Sequence, residues 1–268
     1  MHYCILLCLL FALCFSSCKK GGHEPYSFFI AGHTYGNAGV NNVGLHPPFK
    51  AQFDSIHKQK NIALGVLTGD IVSPHPTLQD WVEVDADVAD LGIPVYFSVG
   101  NHDMENRPVY EERYGKTYSS FVHQSDLFIV LDPNLDAWNI TGDQLTFLKN
   151  TLEEHKEKVH NIYVFFHQLL WIQQGTKYES IRPNSLAGRA TEINFWTEIE
   201  PLFHQLSNPV FMFAGDLGGG TWADNFYYDQ YDNMTFMASG MGDGEGDNYV
   251  ILHVAEDKTL TYDKVVMD

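Results

Sequence analysis

The chain has 268 residues, with 34 acidic against 16 basic side chains and a formal charge of −18. A chain of this length buries roughly 70–75% of the surface its unfolded form exposes, so a hydrophobic core holds it without a disulfide framework. Its longest basic stretch is Lys19–Lys20, which removes the electrostatic footing for a nucleic-acid-binding surface.

In chain order, the first feature is the apolar run 3–17 (YCILLCLLFALCFSS). It is shorter than the roughly 20 residues a bilayer crossing needs and matches the apolar region of a signal peptide. Neither Lys nor Arg precedes it. All four cysteines, Cys4, Cys8, Cys14 and Cys18, belong to this segment. None remains to staple the fold or to hold zinc through thiolates. FSSC followed by KKGG resembles a bacterial lipoprotein signal, which implies a signal peptide over 1–17 and lipid on Cys18, with a tether reaching residue 25. The expectation is an exported protein, anchored by lipid to the cell envelope at the periplasmic or outer-membrane surface, each buried CH₂ contributing about 0.8 kcal/mol. An ordinary cleaved signal with an incidental cysteine is the alternative, and it also implies export.

From residue 26 the chain alternates short apolar runs with amphipathic ones. Strands are predicted at 27–31, 62–68, 94–99, 127–131, 162–166 and 210–214, each rich in Val, Ile, Phe or Tyr and without polar alternation, as in strands buried on both faces. Helices are predicted at 48–60, 78–91, 141–156 and 191–206, the third opened by a capping box of Thr141 and Gln144. From Phe226 the segments NFYYDQY, MTFMASG, NYVILHV and TLTYDKVV read as an antiparallel sheet closing the same domain. Strand–helix alternation without a linker or repeat predicts one α/β domain over 26–268.

Polar residues follow the ends of the apolar runs: His33 and Tyr35 in AGHTYGN, Asp70 in LTGDIVS, Asn101, His102 and Asp103 in SVGNHDM, His167 in VFFHQ, and Asp216 in FMFAGDLGGG. In open α/β sheets, ligands bind at the carboxyl edge of the strands, where residues distant in sequence converge. Carboxylates, imidazoles and an amide meeting there have the character of a metal site. Taken singly the same residues have plainer readings: a helix cap or turn for Asp70, a core histidine for His167, a turn former for Asp216, packing for Tyr35.

LTGD followed by SVGNHD, inside β-α-β units, resembles the calcineurin-like metallophosphoesterase family, over residues 26–254. The resemblance implies a four-layer α/β/β/α sandwich carrying one or two divalent metal ions (Mn, Fe, Zn or Mg) and hydrolysing phosphate esters. Asp70 matches the carboxylate that bridges both metals, Asn101 the amide ligand, His102 the histidine beside the leaving group, and His167 a ligand of the second metal. The family opens with Asp-x-His, where this chain has His33 and Tyr35, and closes with Gly-His-x-His, where it has Gly215, Asp216, Leu217 and Gly218. One metal then receives Asp70, Asn101, His167 and Asp216, while the other keeps His33 and Asp70, with Tyr35 as a further candidate ligand, and has lost a carboxylate and a histidine. The implied chemistry is attack on phosphorus by a metal-activated water, with His102 at the leaving group, Asp103 orienting its imidazole, and Tyr35 binding a phosphate oxygen.

The sequence thus predicts an exported phosphomonoesterase or phosphodiesterase with an altered metal centre. The alternative is a weak or inactive surface lipoprotein that keeps the fold as a binding module. The glycine runs GDLGGG and GMGDGEGDN lack a P-loop ending and read as tight loops near the metal edge. Trp171, Tyr178, Trp222 and Tyr227 are candidates for a substrate wall or for packing, and His46 and His75 for the cleft or the surface. Oligomeric state is not written in the sequence.

Overall fold

The computed structural model describes residues 23–37, 39, 43–242 and 244–267; the expected signal peptide over 1–17 and lipid site at Cys18 lie outside the described residues. Among the described residues no helix is long and apolar enough to cross a membrane.

The chain opens with β1 (Tyr26–Ala31), in which every residue is buried. Its alternate side chains serve two cores: Phe28 and Ile30 face one cluster, Phe29 and Ala31 another. That double burial is why the run is continuously apolar instead of alternating. β1 pairs in parallel with β2 (Ile62–Thr68), which pairs in parallel with β3 (Val95–Ser98). On the helical side of this sheet lie α1 (Pro47–Lys50), α2 (Phe53–His57), α3 (Leu78–Asp90) and α4 (Arg107–Tyr114). Phe49, Ile56, Trp81, Val84 and Tyr110 from these helices close over Phe29, Leu67 and Ile251.

A second sheet is built on β5 (Asp126–Val130), β6 (Ile162–Phe165) and β7 (Val210–Ala214), all parallel, with β4 (Ser119–His123) antiparallel at its edge. Its outer face is covered by α5 (Gly142–His155) and by a π turn, Phe195–Ile199, that runs into α6 (Glu200–His204). Leu148, Leu152, Phe195 and Phe203 pack there on Val164, Met212 and Phe236. The two sheets face each other through Phe28, Ile30, Leu64, Phe128, Tyr163, Phe165 and Phe213. Truncating one of these inter-sheet rings to alanine costs about 3–5 kcal/mol. The layers are therefore helix, sheet, sheet, helix, the sandwich expected.

The last four strands depart from expectation. They do not form one antiparallel sheet but two hairpins shared between the sheets. β9 (Met234–Ser239) pairs in parallel with β7 and antiparallel with β8 (Phe226–Tyr231), whereas β10 (Asn248–Val254) pairs antiparallel with both β1 and β11 (Leu260–Val266). Local pattern marks strands but does not choose partners. Burial does: β9 is buried throughout and sits inside its sheet, while exposed β11 forms an edge.

The predicted helix 48–60 is two short helices, and 191–206 is helical only from 195 onward. Pro201, near the start of α6, offers no N–H to the preceding turn, which widens into the π form. The capping box at Thr141 is absent. Its hydroxyl donates to Asp136, and the Gln144 amide is buried against the Asp132 backbone. A box closes α3 instead, where the N–H and hydroxyl of Thr77 both donate to Asp80 at 2.7 Å.

Candidate metal centre

The C-terminal ends of β1, β2, β3, β6 and β7 deliver His33, Asp70, His102, His167 and Asp216 to one edge of the sandwich. Asp70 leaves β2 through a left-handed pair, Gly69 with φ +82° and Asp70 itself with φ +49°. A Cβ on Gly69 would lie 2.5 Å from the His167 ring. Glycine is therefore required twice over, by its φ and by the imidazole seated on its backbone.

Asp70, His167 and Asp216 are all buried. His167 donates through Nδ1 to the Thr68 carbonyl at 2.9 Å, which fixes its tautomer and turns Nε2 toward the carboxylates. Nε2 stands 3.4 Å from Asp70 Oδ2 and 3.7 Å from Asp216 Oδ1. Neither His167 Nε2 nor Asp216 Oδ2 has a hydrogen-bond partner, although both are fully enclosed. Buried polar atoms are rarely left so. Donor atoms of the three residues all lie within 4.8 Å of one another. Ligands at about 2.1 Å from one cation sit roughly 3.0–3.5 Å apart, so the triangle fits a single metal ion with little adjustment.

The electrostatics state the same need. Burial pushes the Asp216 carboxyl up to about 8, opposed by His167 and reinforced by Asp70. Burial also works against charge on Asp70, yet the facing imidazoles of His167, His33 and His102 hold it well below the usual carboxylate range. His167 is moved to about 10 because Asp70 and Asp216 outweigh the burial that disfavours its cation. Two carboxylates share a dry site with one imidazole, a deficit of positive charge that a divalent ion removes.

On the other side of Asp70 lies His33, with φ +57°. Its Nδ1 donates to the Met241 carbonyl at 2.7 Å, and its Nε2 stands 3.7 Å from Asp70 Oδ2. Burial lowers its pKa to about 4. The Tyr35 ring lies tilted against His33 with centroids 4.5 Å apart, and burial together with nearby Asp70 holds its hydroxyl well above its ordinary value. Gly218 has φ +80°, and a Cβ there would approach the Gly240 carbonyl to 2.6 Å. Backbone fills this position, so no side chain reaches the centre from it.

Above the metal triangle is a cleft of about 160 Å³, lined by His33, Tyr35, Asn101, His102 and Asp216 together with Asn37, Asn184, Ser185 and Trp222. A larger groove of about 550 Å³ runs past His46 and 244–247, but none of the residues discussed above opens into it. His46 lies there, and the side chain of His75 is 91% exposed, so neither lines the cleft. Trp171 and Tyr178 are core residues, and Tyr227 packs against the same core. Of the four aromatics weighed for a substrate wall, only Trp222 reaches the cleft.

Asp103 does not orient His102. Its buried carboxylate accepts from the backbone N–H groups of Ile71, Val72 and Gly100 at 2.7–3.0 Å. Burial, then Asp70, raise its pKa to about 7 against those amides. The reason is conformational: Asp103 opens a 3₁₀ turn, Asp103–Asn106, and points inward. Glu105, further along the same turn, points outward and takes His102 Nδ1 at 2.9 Å. The remaining positioning comes from the 184–185 loop. The Asn184 N–H donates to the Asp216 backbone carbonyl at 2.9 Å, and the Asn184 side chain accepts from Gly219 N–H and donates to the Leu217 carbonyl. Glu105 was visible as the third residue after His102, whereas nothing local marked Asn184 or Ser185.

A family model described as calcineurin-like phosphoesterase matches residues 23–198. A dimetal phosphatase from Danio rerio superposes with a TM-score of 0.60 at 13% identity, covering 90% of this chain and 98% of that one. The purple acid phosphatase PPD1 from yellow lupin (Lupinus luteus) gives a TM-score of 0.62 at 15% identity over 90% of this chain, which spans 52% of the lupin enzyme. No curated protein matches the chain.

Proposed function

This chain belongs to the calcineurin-like phosphoesterase family, and on that premise we propose that it is a metal-dependent hydrolase of phosphate esters working from an altered, one-metal centre. The observation that carries the reading is the buried triangle of Asp70, His167 and Asp216 with unpartnered atoms at its middle. Asp70, His167 and Asp216 would hold the ion, with Asn101, which lines the cleft, as a further ligand and His33 beyond Asp70 as the residue of a second position. A divalent cation there supplies Lewis acidity toward the phosphoryl oxygens and lowers the pKa of a coordinated water from about 15.7 toward 7.

The side chains do the rest. His102 Nε2 stands 3.8 Å from Asp70 Oδ2, and its Nδ1 is held by Glu105. That leaves Nε2 free to turn toward a leaving oxygen and give it a proton. Tyr35 keeps its proton and offers an O–H to a phosphate oxygen. The Thr68 carbonyl and Gly69 backbone fix His167, so the ligand set is organised before any ion enters.

Metal-stripped protein reloaded with Mn²⁺, Fe²⁺, Zn²⁺ or Mg²⁺ and assayed on generic phosphate esters tests this. Turnover with about one equivalent of bound metal, lost in Asn101→Ala and His102→Ala, is the expected result. One bound equivalent without turnover on any ester favours the binding module. The backbone filling at Gly218 is the observation on that side. We also propose export and lipid anchoring at the cell envelope, supported by the apolar run 3–17 ahead of Cys18. Incorporation of labelled palmitate that vanishes in Cys18→Ala is the corresponding test.

A further inference from the structure

Among the described residues, no lysine or arginine lines the cleft over the metal triangle. Each basic residue of 174–190, the segment that contributes Asn184 and Ser185, is committed elsewhere. Lys177 pairs with Asp229 at 2.6 Å, and Arg182 grips Asp224 through Nε and Nη2 at 3.1 and 2.7 Å. Arg189 donates to the Ile172 carbonyl at 3.0 Å and lies over the Trp138 ring. Beyond Asp70, Asp216, His33 and His102, the polar lining of the cleft is uncharged: Tyr35, Asn37, Asn101, Asn184 and Ser185.

Charge can therefore be counted. Asp70 and Asp216 contribute two negative charges, which one divalent ion cancels and no more. His102 offers at most one positive charge, and Glu105 already faces it. A phosphomonoester dianion would bring two negative charges into a site whose one remaining cation, His102, is already shared with Glu105. A phosphodiester carries one and, being doubly substituted, presents a second ester group to the walls.

One wall suits such a group. Trp222 is 60% exposed at the cleft mouth but is not loose. Its Nε1–H donates to the Asn184 carbonyl at 3.1 Å, and its six-membered ring lies on Gly220, where a Cβ would come within 2.1 Å of it. An aromatic pinned at its edge with a face open beside a phosphate site is a stacking platform.

We infer that the cleft selects small phosphodiesters, bound as monoanions, with one planar aromatic ester group stacked on Trp222. The inference rests on the phosphoesterase reading above. The net charge of −18 disfavours a polyanionic nucleic acid, so the substrate is a small molecule. In the step, the oxygen of water forms a bond to phosphorus as the bond to the leaving oxygen breaks. One water proton ends on that oxygen by way of His102. The other is released as the product monoester ionises. The product carries one more negative charge than the substrate, and the uncompensated site expels it.

The test uses the full metal-loaded chain. Bis(p-nitrophenyl) phosphate should exceed p-nitrophenyl phosphate in kcat/KM by about tenfold or more, the two sharing a leaving group. Calorimetry should find diphenyl phosphate bound more tightly than phenyl phosphate at pH 8. Trp222→Ala should weaken diphenyl phosphate by about five- to tenfold and leave dimethyl phosphate unchanged. Ser185→Lys should raise kcat/KM for the monoester. Equal or better turnover of the monoester overturns the charge argument, and equal losses for both diesters in Trp222→Ala overturn the stacking argument. Tight binding of diphenyl phosphate without turnover would sink the phosphoesterase reading while leaving the ligand preference standing; neither binding nor turnover would remove both.

Discussion

Two groups of side chains flank Asp70 at the same sheet edge, and they have opposite accounts of their polar atoms. On one flank, His167 Nε2 and Asp216 Oδ2 are enclosed and unsatisfied, and two carboxylates crowd one imidazole. On the other, His33 is tied to the Met241 carbonyl, and the place of Gly218 is filled by the Gly240 backbone. The backbone scaffold is common to both flanks. What differs is whether the protein itself completes the bonding. A flank left incomplete in a dry interior is one that a ligand must finish, which supports placing the proposed metal on the first flank, whereas the second is largely completed by the protein's own backbone.

The sharpest way to break this contrast is Asp70→Asn, which alters the one carboxylate both flanks share. Metal content should fall from about one equivalent to none, and activity by about 10³-fold or more; retained metal by elemental analysis would refute the assignment. Asp103→Ala should cost about 3–5 kcal/mol, lowering Tm by about 10 °C, because three backbone amides lose their buried acceptor. Its effect should appear in stability first, and Tm by calorimetry reads it. Gly218→His should not rebuild a second site. It should cost about 2 kcal/mol, since φ +80° and the Gly240 contact both oppose a side chain, and metal stoichiometry should stay at one.

The flanks also differ in pH. His167 is raised from 6.5 to about 10, so its contribution is complete below pH 6.5 and is lost as pH rises through 10. Asp216 is raised from 3.8 to about 8, so its contribution is complete below pH 3.8 and is lost as pH rises through 8. Metal-free protein should therefore lose several degrees of Tm between about pH 6.5 and 10. Loaded protein should show the opposite slope near neutrality, because deprotonated ligands bind metal better. Parallel slopes would mean that the triangle holds no ion. The smallest change in stability is expected for Glu105→Gln. Tm should stay within about 1 °C, while kcat on an ester with a poor leaving group falls about tenfold. A loss independent of the leaving group would show that Glu105 does not act through His102.

Much of this was legible before any coordinates. Continuous apolar runs such as IALGVLT of β2 and VFMFA of β7 announced strands covered on both faces, and the residues after them marked one edge. Less legible was anything that depended on direction. Asp103 and Glu105 sit on one short turn, and only its 3₁₀ winding decides which carboxylate meets His102 and which turns inward. The α4 segment, RPVYEERY, is too polar and too short for its periodicity to stand out. The hairpins at the end of the chain were readable as strands but not as members of different sheets, since pairing is a long-range choice with no local signature.

By itself, the sequence determined most of the strands and which polar residues gather at the carboxyl edge, because those follow from periodicity and from the rule that buried strands are apolar on both faces; the layer order was implied by the family resemblance. Tertiary structure alone decided how the gathered residues divide. Whether a buried donor is already satisfied depends on which carbonyl lies opposite it, and Met241 and Gly240 are brought to His33 and Gly218 from far along the chain. So too for the cleft: the charge of −18 was readable at once, but that no lysine or arginine among the described residues lines it required knowing where Lys177, Arg182 and Arg189 pair.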